Sequence, residues 1–367
     1  MENNAETVIT ETASTAKEKP AKKKRKWPKI LFGTLGILLL GAVILAVVKY
    51  YGAAATMLSL KHVDGQLYQV TYRQDYKLDE ALSAEIVSEE KLLDFITQNL
   101  IFDLPFEINK DYFACSAFLT EGDDGRYLVG RNLDFNATET LTLYTAPKDG
   151  YASIGNVMLG TLNVGAPSDT EVTGFLGRAS TLAAPYLCVD GMNEKGFSVS
   201  VLDLGYGEIH KYTEKPDLVT TMAVRLLLDR AANVDEAIAL LEQYDFHSLH
   251  NMAQHLFLAD ASGRSVIVEW PNNDMVVVEN NVCTNFWLSK VPADSQYAGR
   301  CDRFDTLTQR LADQPVNTPE SSMDNLKAAS VSWTQWSCVY HLSDFSMDIS
   351  LDTDYSKVYH LTPDDFR

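Results

Sequence analysis

An uninterrupted apolar run lies near the start of the chain. Residues 30–48 carry no charged side chain, and Lys29 and Lys49 close the run at its two ends. A helix of this length, at about 1.5 Å per residue, reaches roughly the 30 Å of a bilayer's hydrocarbon core. The pattern therefore predicts a transmembrane helix, to which we assign residues 30–50.

A cluster of eight basic side chains lies directly before this run, between residues 17 and 29. By the positive-inside rule, residues 1–29 form a cytoplasmic tail, and the rest of the chain lies outside the cell as part of a single-pass membrane protein. A cleaved signal peptide is the alternative, because the small residues Ala53 and Ala55 follow the run. The long basic segment and the long apolar run favour an uncleaved signal anchor.

Residues 57–111 are polar and rich in helix formers. The stretch "LDEALSAEIVSEEKLLDFITQNL" has apolar residues at helical spacing, and Pro105 begins a short extended link to Cys115. We interpret residues 51–114 as a prosegment or spacer.

The pattern changes to strands beyond Cys115. "GRYLVGRNLDF" alternates like a strand that leaves a hairpin, with Asp123-Asp124-Gly125 as the turn, and "YLCVDGMNEKGFSVSVLDL" repeats strand, turn and strand. Two helices follow, the first over residues 220–232, while Asn233 and Glu236 form a capping box for the second.

Further strands come after the helix pair. They are predicted in "HLFLADASGRSVIVEW", "DMVVVENNVCTNFW" and the final "TQWSCVYHLSDFSMDISLDTDYSKVYHL". Strands, a helix pair and strands again predict an α+β domain over residues 115–367, with helices packed on antiparallel sheets.

Charge is distributed unevenly along the chain. Residues 1–55 carry a net charge of +5. The whole chain carries −19, so residues 56–367 carry −24. A strongly acidic domain argues against nucleic acid or an anionic membrane surface as its partner. The membrane contact is therefore assigned to the N-terminal helix alone.

The five cysteines are Cys115, Cys188, Cys283, Cys301 and Cys338. Their number is odd, so at least one thiol stays free, and the pairing of the others is open. No C-x-x-C or Cys/His spacing indicates a zinc site.

Cys115 is the candidate nucleophile, but a thiol needs a base or a positive neighbour to react near neutral pH. The seven histidines offer no recognisable Cys/His signature. Cleavage of the Ala114–Cys115 bond would instead give the cysteine an α-amino group with a pKa of about 7.7–8.0, which can act as its own base. Arg131 could then stabilise the thiolate, and Asp134 could hold the amino group.

Cys115, Arg131 and Asp134 in this order resemble the N-terminal cysteine segment of the choloylglycine hydrolase family. "DGMNEKGFSVSVLDL", "LFLADASGRSVIVEW" and "VVVENNVCTNFW" are similar to its later blocks, so the resemblance covers residues 115–367. It implies a four-layer αββα fold, Asn285 and the backbone N–H of Asp203 as oxyanion donors, and Arg303 near the nucleophile, with Arg300 as the alternative.

The resemblance also implies the activity. We expect autocatalytic cleavage before Cys115, followed by hydrolysis of a linear C–N amide bond in a small N-acyl molecule of the bile-salt, penicillin V or N-acyl amino acid type, without metal or cofactor. The alternatives are an acyltransferase of the penicillin-biosynthetic type and an inactive membrane-anchored binding protein. The sequence leaves a homo-oligomer open.

Overall fold

The computed structural model describes residues 27–104, 106–108, 114–166, 168–249, 251–291 and 301–367. The chain divides into two compact units, Met1–Lys49 and Tyr50–Arg367. The helices of the described residues are α1 (Trp27–Ser59), α2 (Leu78–Leu82), α3 (Glu89–Asn99), α4 (Phe175–Ser180), α5 (Thr220–Arg230), α6 (Val234–Leu241), α7 (Asp302–Asp313) and α8 (Pro319–Ala328).

The strands of the second unit are, in chain order, β1 (Lys61–Asp64), β2 (Leu67–Thr71), β3 (Ala114–Gly122), β4 (Tyr127–Asp134), β5 (Thr140–Thr145), β6 (Ser153–Met158), β7 (Asp190–Asn193), β8 (Phe197–Tyr206), β9 (Asp217–Val219), β10 (Asp245–His247), β11 (Met252–Asp260), β12 (Ser265–Glu269), β13 (Val276–Glu279), β14 (Val282–Cys283), β15 (Val316–Asn317), β16 (Thr334–His341), β17 (Ser346–Leu351) and β18 (Tyr359–Leu361).

Helix α1 is long and apolar enough to cross a membrane. Its segment Ile37–Ser59 is apolar, and little of it is buried. Apolar side chains such as Leu38 and Val48 are exposed along it. A signal sequence has the same length and composition, so this finding agrees with both interpretations of the apolar run.

Two large sheets make up most of the second unit. The first has nine strands in the order β1-β2-β5-β6-β7-β8-β11-β12-β13. The second has seven strands, in the order β14-β3-β4-β16-β17-β18, with β15 paired to β3. A short parallel pair, β9 and β10, stands apart from both.

The helices pack on the sheets, as the sequence predicts for an α+β domain. Helix α5 contacts β7 and β8 of the nine-stranded sheet, whereas α8 contacts β4 and β16 and α7 contacts β3 of the seven-stranded sheet. The two sheets contact each other through β3 and β8. Strand β3, which carries Cys115, therefore lies between a helix and the other sheet.

Large apolar side chains fill this interior. Trp336, Phe118 and Phe257 are fully buried, and burying a side chain of this size stabilises the fold by roughly 1.5–3 kcal/mol. Gly130 pairs with Phe118 across β3 and β4. The aromatic ring occupies the space that any side chain at Gly130 would need, which fixes the path of β4 just before Arg131.

The predicted helix pair is present. Helix α5 ends two residues before the predicted limit at residue 232, and α6 begins directly after Asn233. The Asn233 side chain accepts a hydrogen bond from the backbone N–H of Glu236 at 2.9 Å, as the capping prediction requires. The Glu236 carboxylate accepts in return from the N–H of Ala232, one residue before the expected position.

The segment before Cys115 contains more than the predicted helices. Helices α2 and α3 lie within the helix-prone stretch, but β1 and β2, which the sequence did not predict, precede them. Strand β2 pairs in parallel with β5, and its Leu67 and Val70 are fully buried. The segment is thus part of the nine-stranded sheet, which its helix-prone pattern did not indicate, and its role as a prosegment or spacer stays a prediction.

Candidate functional site

Cys115 is the second residue of β3, and its side chain is fully buried. The hairpin between β3 and β4 turns at Asp123-Asp124-Gly125, as predicted, and Gly125 adopts a left-handed φ of 78° that glycine tolerates best. The register of the hairpin pairs Ala114 with Asp134 and Ala117 with Arg131. Because side chains two apart on a strand share a face, Cys115 and Arg131 lie on the same face of the sheet.

The Arg131 side chain is fully buried, which is costly for a charge unless it is paired. Its Nη2 donates to the carbonyl of Val201 at 2.8 Å, and its Nε lies 3.4 Å from Oδ2 of Asp190. Burial alone would lower the pKa of Arg131, but the neighbouring Cys115 and Asp190 raise it above its ordinary value. The guanidinium therefore keeps its charge beside the thiol.

Asp190 is held by a polar network that the sequence did not assign to the site. Its carboxylate accepts hydrogen bonds from Trp336 Nε1 at 3.1 Å, from the Tyr340 hydroxyl at 2.5 Å and from Asn156 Nδ2 at 2.9 Å. The signal was present, since Asp190 opens the block "DGMNEKG". Its partners could not be found there, because they come from strands far away in the sequence.

Burial also affects the Cys115 thiol. It raises the pKa of the Cys115 thiol to about 12, against the opposing effect of Arg131, which lowers it. The thiol of the intact chain is therefore protonated at neutral pH. Its Sγ lies 3.7 Å from the carbonyl of Val201.

Arg303 lies in the first turn of α7 and contacts Cys115 from the other side. Its Nη1 donates to the Cys115 carbonyl at 2.9 Å and to Asp134 Oδ2 at 2.6 Å, while Nη2 donates to Asn285 Oδ1 at 2.8 Å. Arg303 is thus close to Cys115, and its role in the reaction stays a prediction. Its alternative, Arg300, lies outside the described residues.

Asn285 binds the backbone on both sides of the site. Its Oδ1 accepts from the N–H of Cys115 at 2.7 Å, and its Nδ2 donates to the carbonyl of Asp203 at 2.7 Å. The Asp203 side chain accepts from Gln254 Nε2 at 2.8 Å. Asp203 therefore lies at the site, and the contact with Asn285 is made by its carbonyl oxygen.

Asp134 has different partners in the intact chain from the one predicted. Its carboxylate accepts from Arg303 and, at 2.5 Å, from the Thr334 hydroxyl, whereas the N–H of Cys115 is bound by Asn285. Burial raises the pKa of Asp134, and the bonds from Thr334 and Arg303 oppose this rise. The expected bond between Asp134 and an amino group concerns the cleaved chain and stays a prediction.

A second group that the sequence did not reveal holds the segment around Asn285. His255 Nδ1 lies 3.0 Å from Glu269 Oε1, and His255 Nε2 lies 2.9 Å from the carbonyl of Thr284, so each ring nitrogen faces an oxygen acceptor. Glu269 also accepts from the N–H groups of Leu288 and Ser289 at 2.8 and 2.9 Å. This group, the His255–Glu269 pair, ties both sides of Asn285 to the nine-stranded sheet.

The sequence-predicted side chains Cys115, Arg131, Asp134, Asn285 and Arg303 supply one thiol, two guanidinium groups, one carboxylate and one amide. These groups can stabilise an anion at sulfur or at a carbonyl oxygen, which acyl transfer requires. All five cysteines are free. Within the described part of the chain, a metal ion could be held by His341, Asp348 and His360. None of these three residues belongs to the site around Cys115.

Comparison with known proteins assigns the chain to a family. The model of the linear amide C-N hydrolases, choloylglycine hydrolase family, matches residues 115–309, more than half of the chain, and the match begins at Cys115. The chain belongs to the choloylglycine hydrolase family. The resemblance inferred from the sequence motifs is confirmed.

Individual relatives agree with the family assignment. The chain is 29% identical over 180 residues to a penicillin V acylase from Pectobacterium atrosepticum. The aligned region covers 45% of this chain and 46% of the relative. The chain thus spans about half the length of the curated relative that it matches. Its fold is similar to that of a mutant conjugated bile acid hydrolase from Clostridium perfringens, with a TM-score of 0.50, 15% identity, and coverage of 68% of this chain and 93% of that one.

Proposed function

We propose that this family member hydrolyses the linear C–N amide bond of a small N-acyl molecule, with Cys115 as an N-terminal nucleophile. The observation that carries the proposal is the convergence on Cys115: Asn285 binds its N–H and Arg303 binds its carbonyl, although both are distant in sequence. Penicillin V and conjugated bile salts are the substrate types that the relatives suggest.

The first step is autocatalytic hydrolysis of the Ala114–Cys115 bond, in which water supplies the oxygen of the new Ala114 carboxylate and the C–N bond breaks. It converts the amide N–H of Cys115 into an α-amino group, whose pKa of about 7.7–8.0 suits a general base at neutral pH. The amine then accepts the proton of the Cys115 thiol, which gives a thiolate and an ammonium group. We assign Arg131 to stabilise the resulting thiolate and Asp134 to orient the amino group.

Acyl transfer then follows in two stages. The thiolate attacks the amide carbonyl carbon, the α-amine passes its proton to the leaving nitrogen, and the C–N bond breaks to leave a thioester on Cys115. Water attacks the thioester, which releases the carboxylic acid and restores the thiol. The Asn285 amide nitrogen carries two hydrogens, of which one binds Asp203 and the other is assigned to the developing oxyanion.

The rest of the chain sets the location of this chemistry. We propose that residues 115–367 adopt the four-layer αββα arrangement of N-terminal-nucleophile hydrolases, which is supported by two sheets with helices packed on each. The apolar helix supports a single-pass signal anchor, with residues 1–29 in the cytoplasm and the catalytic domain outside. The positive charge of the segment before the helix sets this orientation.

Intact-mass measurement and N-terminal sequencing of the purified full chain test the cleavage, alongside amidase assays with penicillin V and a glycine-conjugated bile salt. The wild type should yield a fragment that begins at Cys115 and should release the amine from at least one substrate. Cys115→Ala should do neither, whereas Cys301→Ala, which removes a partly exposed thiol outside the site, should do both. A persistently uncut but active chain would refute the N-terminal-nucleophile mechanism, and a cut chain inactive on both compounds would refute these substrate classes.

A further inference from the structure

The C-terminal strands carry two histidines and one aspartate that meet on one face of the seven-stranded sheet. Asp348 on β17 pairs with His360 on β18 and with Val339 on β16, and His341 lies two residues beyond Val339. Since paired residues and residues two apart share a face, the register alone brings His341, Asp348 and His360 together. Tyr340 reaches Asp190 on the opposite face, so this cluster is separate from the site around Cys115.

The three side chains are already arranged around a common point. His341 Nε2 lies 2.9 Å from Asp348 Oδ2, and His360 Nδ1 lies 2.7 Å from Asp348 Oδ1. One ligand atom from each residue falls within 4.8 Å of the others. Two ligands on one tetrahedral zinc ion are about 3.3 Å apart, a spacing that small rotations of the two rings can reach.

We propose that His341, Asp348 and His360 form a binding site for a divalent transition-metal ion, with Zn²⁺ as the best match. Two imidazole nitrogens and one carboxylate oxygen are the donor types that zinc takes, and a water molecule can complete four-coordination. The His360 side chain is 56% exposed, which gives an ion access from solvent. The acidic charge of the second unit attracts cations to its surface.

A second arrangement of two histidines and one aspartate lacks the convergence of donor atoms that the proposed site has. His247 Nε2 lies 2.8 Å from Asp217, while its Nδ1 faces His210 Nδ1 at 3.2 Å. The carboxylate and the second ring are thus on opposite edges of His247, and the three donors do not converge. This His210–His247 arrangement therefore serves as an internal control.

The ion would fasten the last strand of the protein. Strand β18 has only three residues, and it leads into the C-terminal turn, where Phe366 accepts a hydrogen bond from Thr71 and Asp365 accepts one from Lys61. A metal bridge between β16, β17 and β18 would hold this turn against β1 and β2. Binding to the folded chain should therefore raise its melting temperature.

The test uses the full chain, purified in detergent without a polyhistidine tag and stripped of metal with EDTA. Zn²⁺ is titrated by calorimetry, Co²⁺ is added as an absorption probe, and thermal unfolding is followed with and without Zn²⁺. We expect one Zn²⁺ per chain and a higher melting temperature. His360→Asn, an exposed substitution that should leave the metal-free protein folded, should bind at least about tenfold more weakly and lose the shift.

His210→Asn is the matched control and should bind Zn²⁺ like the wild type. The absence of Zn²⁺ binding to the wild type would overturn the proposal. Binding that His360→Asn leaves unchanged, or that both variants weaken equally, would also overturn it, because the ion would then lie elsewhere.

Discussion

The site around Cys115 consists of two halves that are held in place by different means. The strand half is Cys115, Arg131 and Asp134 on the paired strands β3 and β4, and all three side chains are fully buried. The loop half is Asn285 and Arg303, which lie on either side of residues 292–300. The Arg303 side chain is 18% exposed, and the segment of Asn285 depends on side-chain bonds to His255 and Glu269.

Because of this difference, we expect the strand half to affect the stability of the fold and the loop half to affect mainly the reaction. The groups of the strand half are also part of the core, since Arg131 is the partner of the buried Asp190. Removing one partner of a buried ion pair leaves a charge without compensation. The loop half contributes contacts to the backbone of Cys115 and fewer to the core, so its loss should affect the reaction more than the fold.

The largest effect is expected for Arg131→Leu. It should lower the free energy of unfolding by about 3–5 kcal/mol, because Asp190 stays buried without its cation, and it should abolish activity. Urea unfolding and an amidase assay measure the two effects. Arg126→Leu, which removes an exposed pair at the start of the same strand, should change neither much. A stable but inactive Arg131 variant would contradict the core role of the strand half.

Asn285→Ala should separate the two properties. We expect the rate of amide hydrolysis to fall by about 10²- to 10³-fold, as for the loss of one oxyanion donor, whereas the free energy of unfolding should fall by only about 1–3 kcal/mol, because the N–H of Cys115 loses its acceptor. Asn281→Ala removes a nearby asparagine that bonds weakly to the Leu119 carbonyl and should leave the rate unchanged. Equal rates in both variants would remove Asn285 from the mechanism.

Glu269→Gln tests the support of the loop half and should have the smallest effect. We expect it to cost about 1–2 kcal/mol of stability at pH 7 and to reduce the rate several-fold, since the hydrogen bonds to His255, Leu288 and Ser289 weaken. The control is Glu279→Gln, which changes an exposed glutamate on the neighbouring strand. Activity should fall more in Glu269→Gln than in this control, because Glu269 supports the segment of Asn285.

The effect of Glu269→Gln on the free energy of unfolding should also depend on pH. Burial alone would raise the pKa of Glu269, but the bonds from His255 and Ser289 lower it below its ordinary value. The carboxylate therefore contributes its stability above about pH 4.3, and this contribution is lost as the pH falls through the folded-state pKa. Unfolding curves of wild type and variant should converge in that acidic range, and a constant difference would contradict the assignment.

The sequence predicted the strand half well and the loop half only by resemblance. The turn at Asp123-Asp124-Gly125 and the alternation that follows fix the hairpin, so the positions of Arg131 and Asp134 relative to Cys115 follow from local rules. Asn285 and Arg303 were found through similarity to a family, because no local rule relates them to β3. The supporting His255–Glu269 pair depends on the fold of three separate strands and left no recognisable signal.

The segment before Cys115 shows a similar limit. Its helices follow from apolar spacing, but β2 is short and lies between β1, which directly precedes it in the chain, and β5, about seventy positions later. The turn signal Asp64-Gly65 between β1 and β2 was present in the sequence and was missed, whereas the pairing with β5 leaves no local signal. The helix-prone interpretation thus agrees with α2 and α3 and missed the strands before them, whereas the role of the segment as a prosegment or spacer stays a prediction.

The position of β2 in the nine-stranded sheet has a consequence for a cleaved chain. If the Ala114–Cys115 bond is broken, β2 still pairs with β5 through Leu67 and its neighbours, so the two fragments would stay together as subunits of one protein. Cleavage would then change the number of chains without releasing a soluble enzyme. The N-terminal fragment would be both the tether and an obligatory part of the fold, and only denaturation would separate it from the nucleophile.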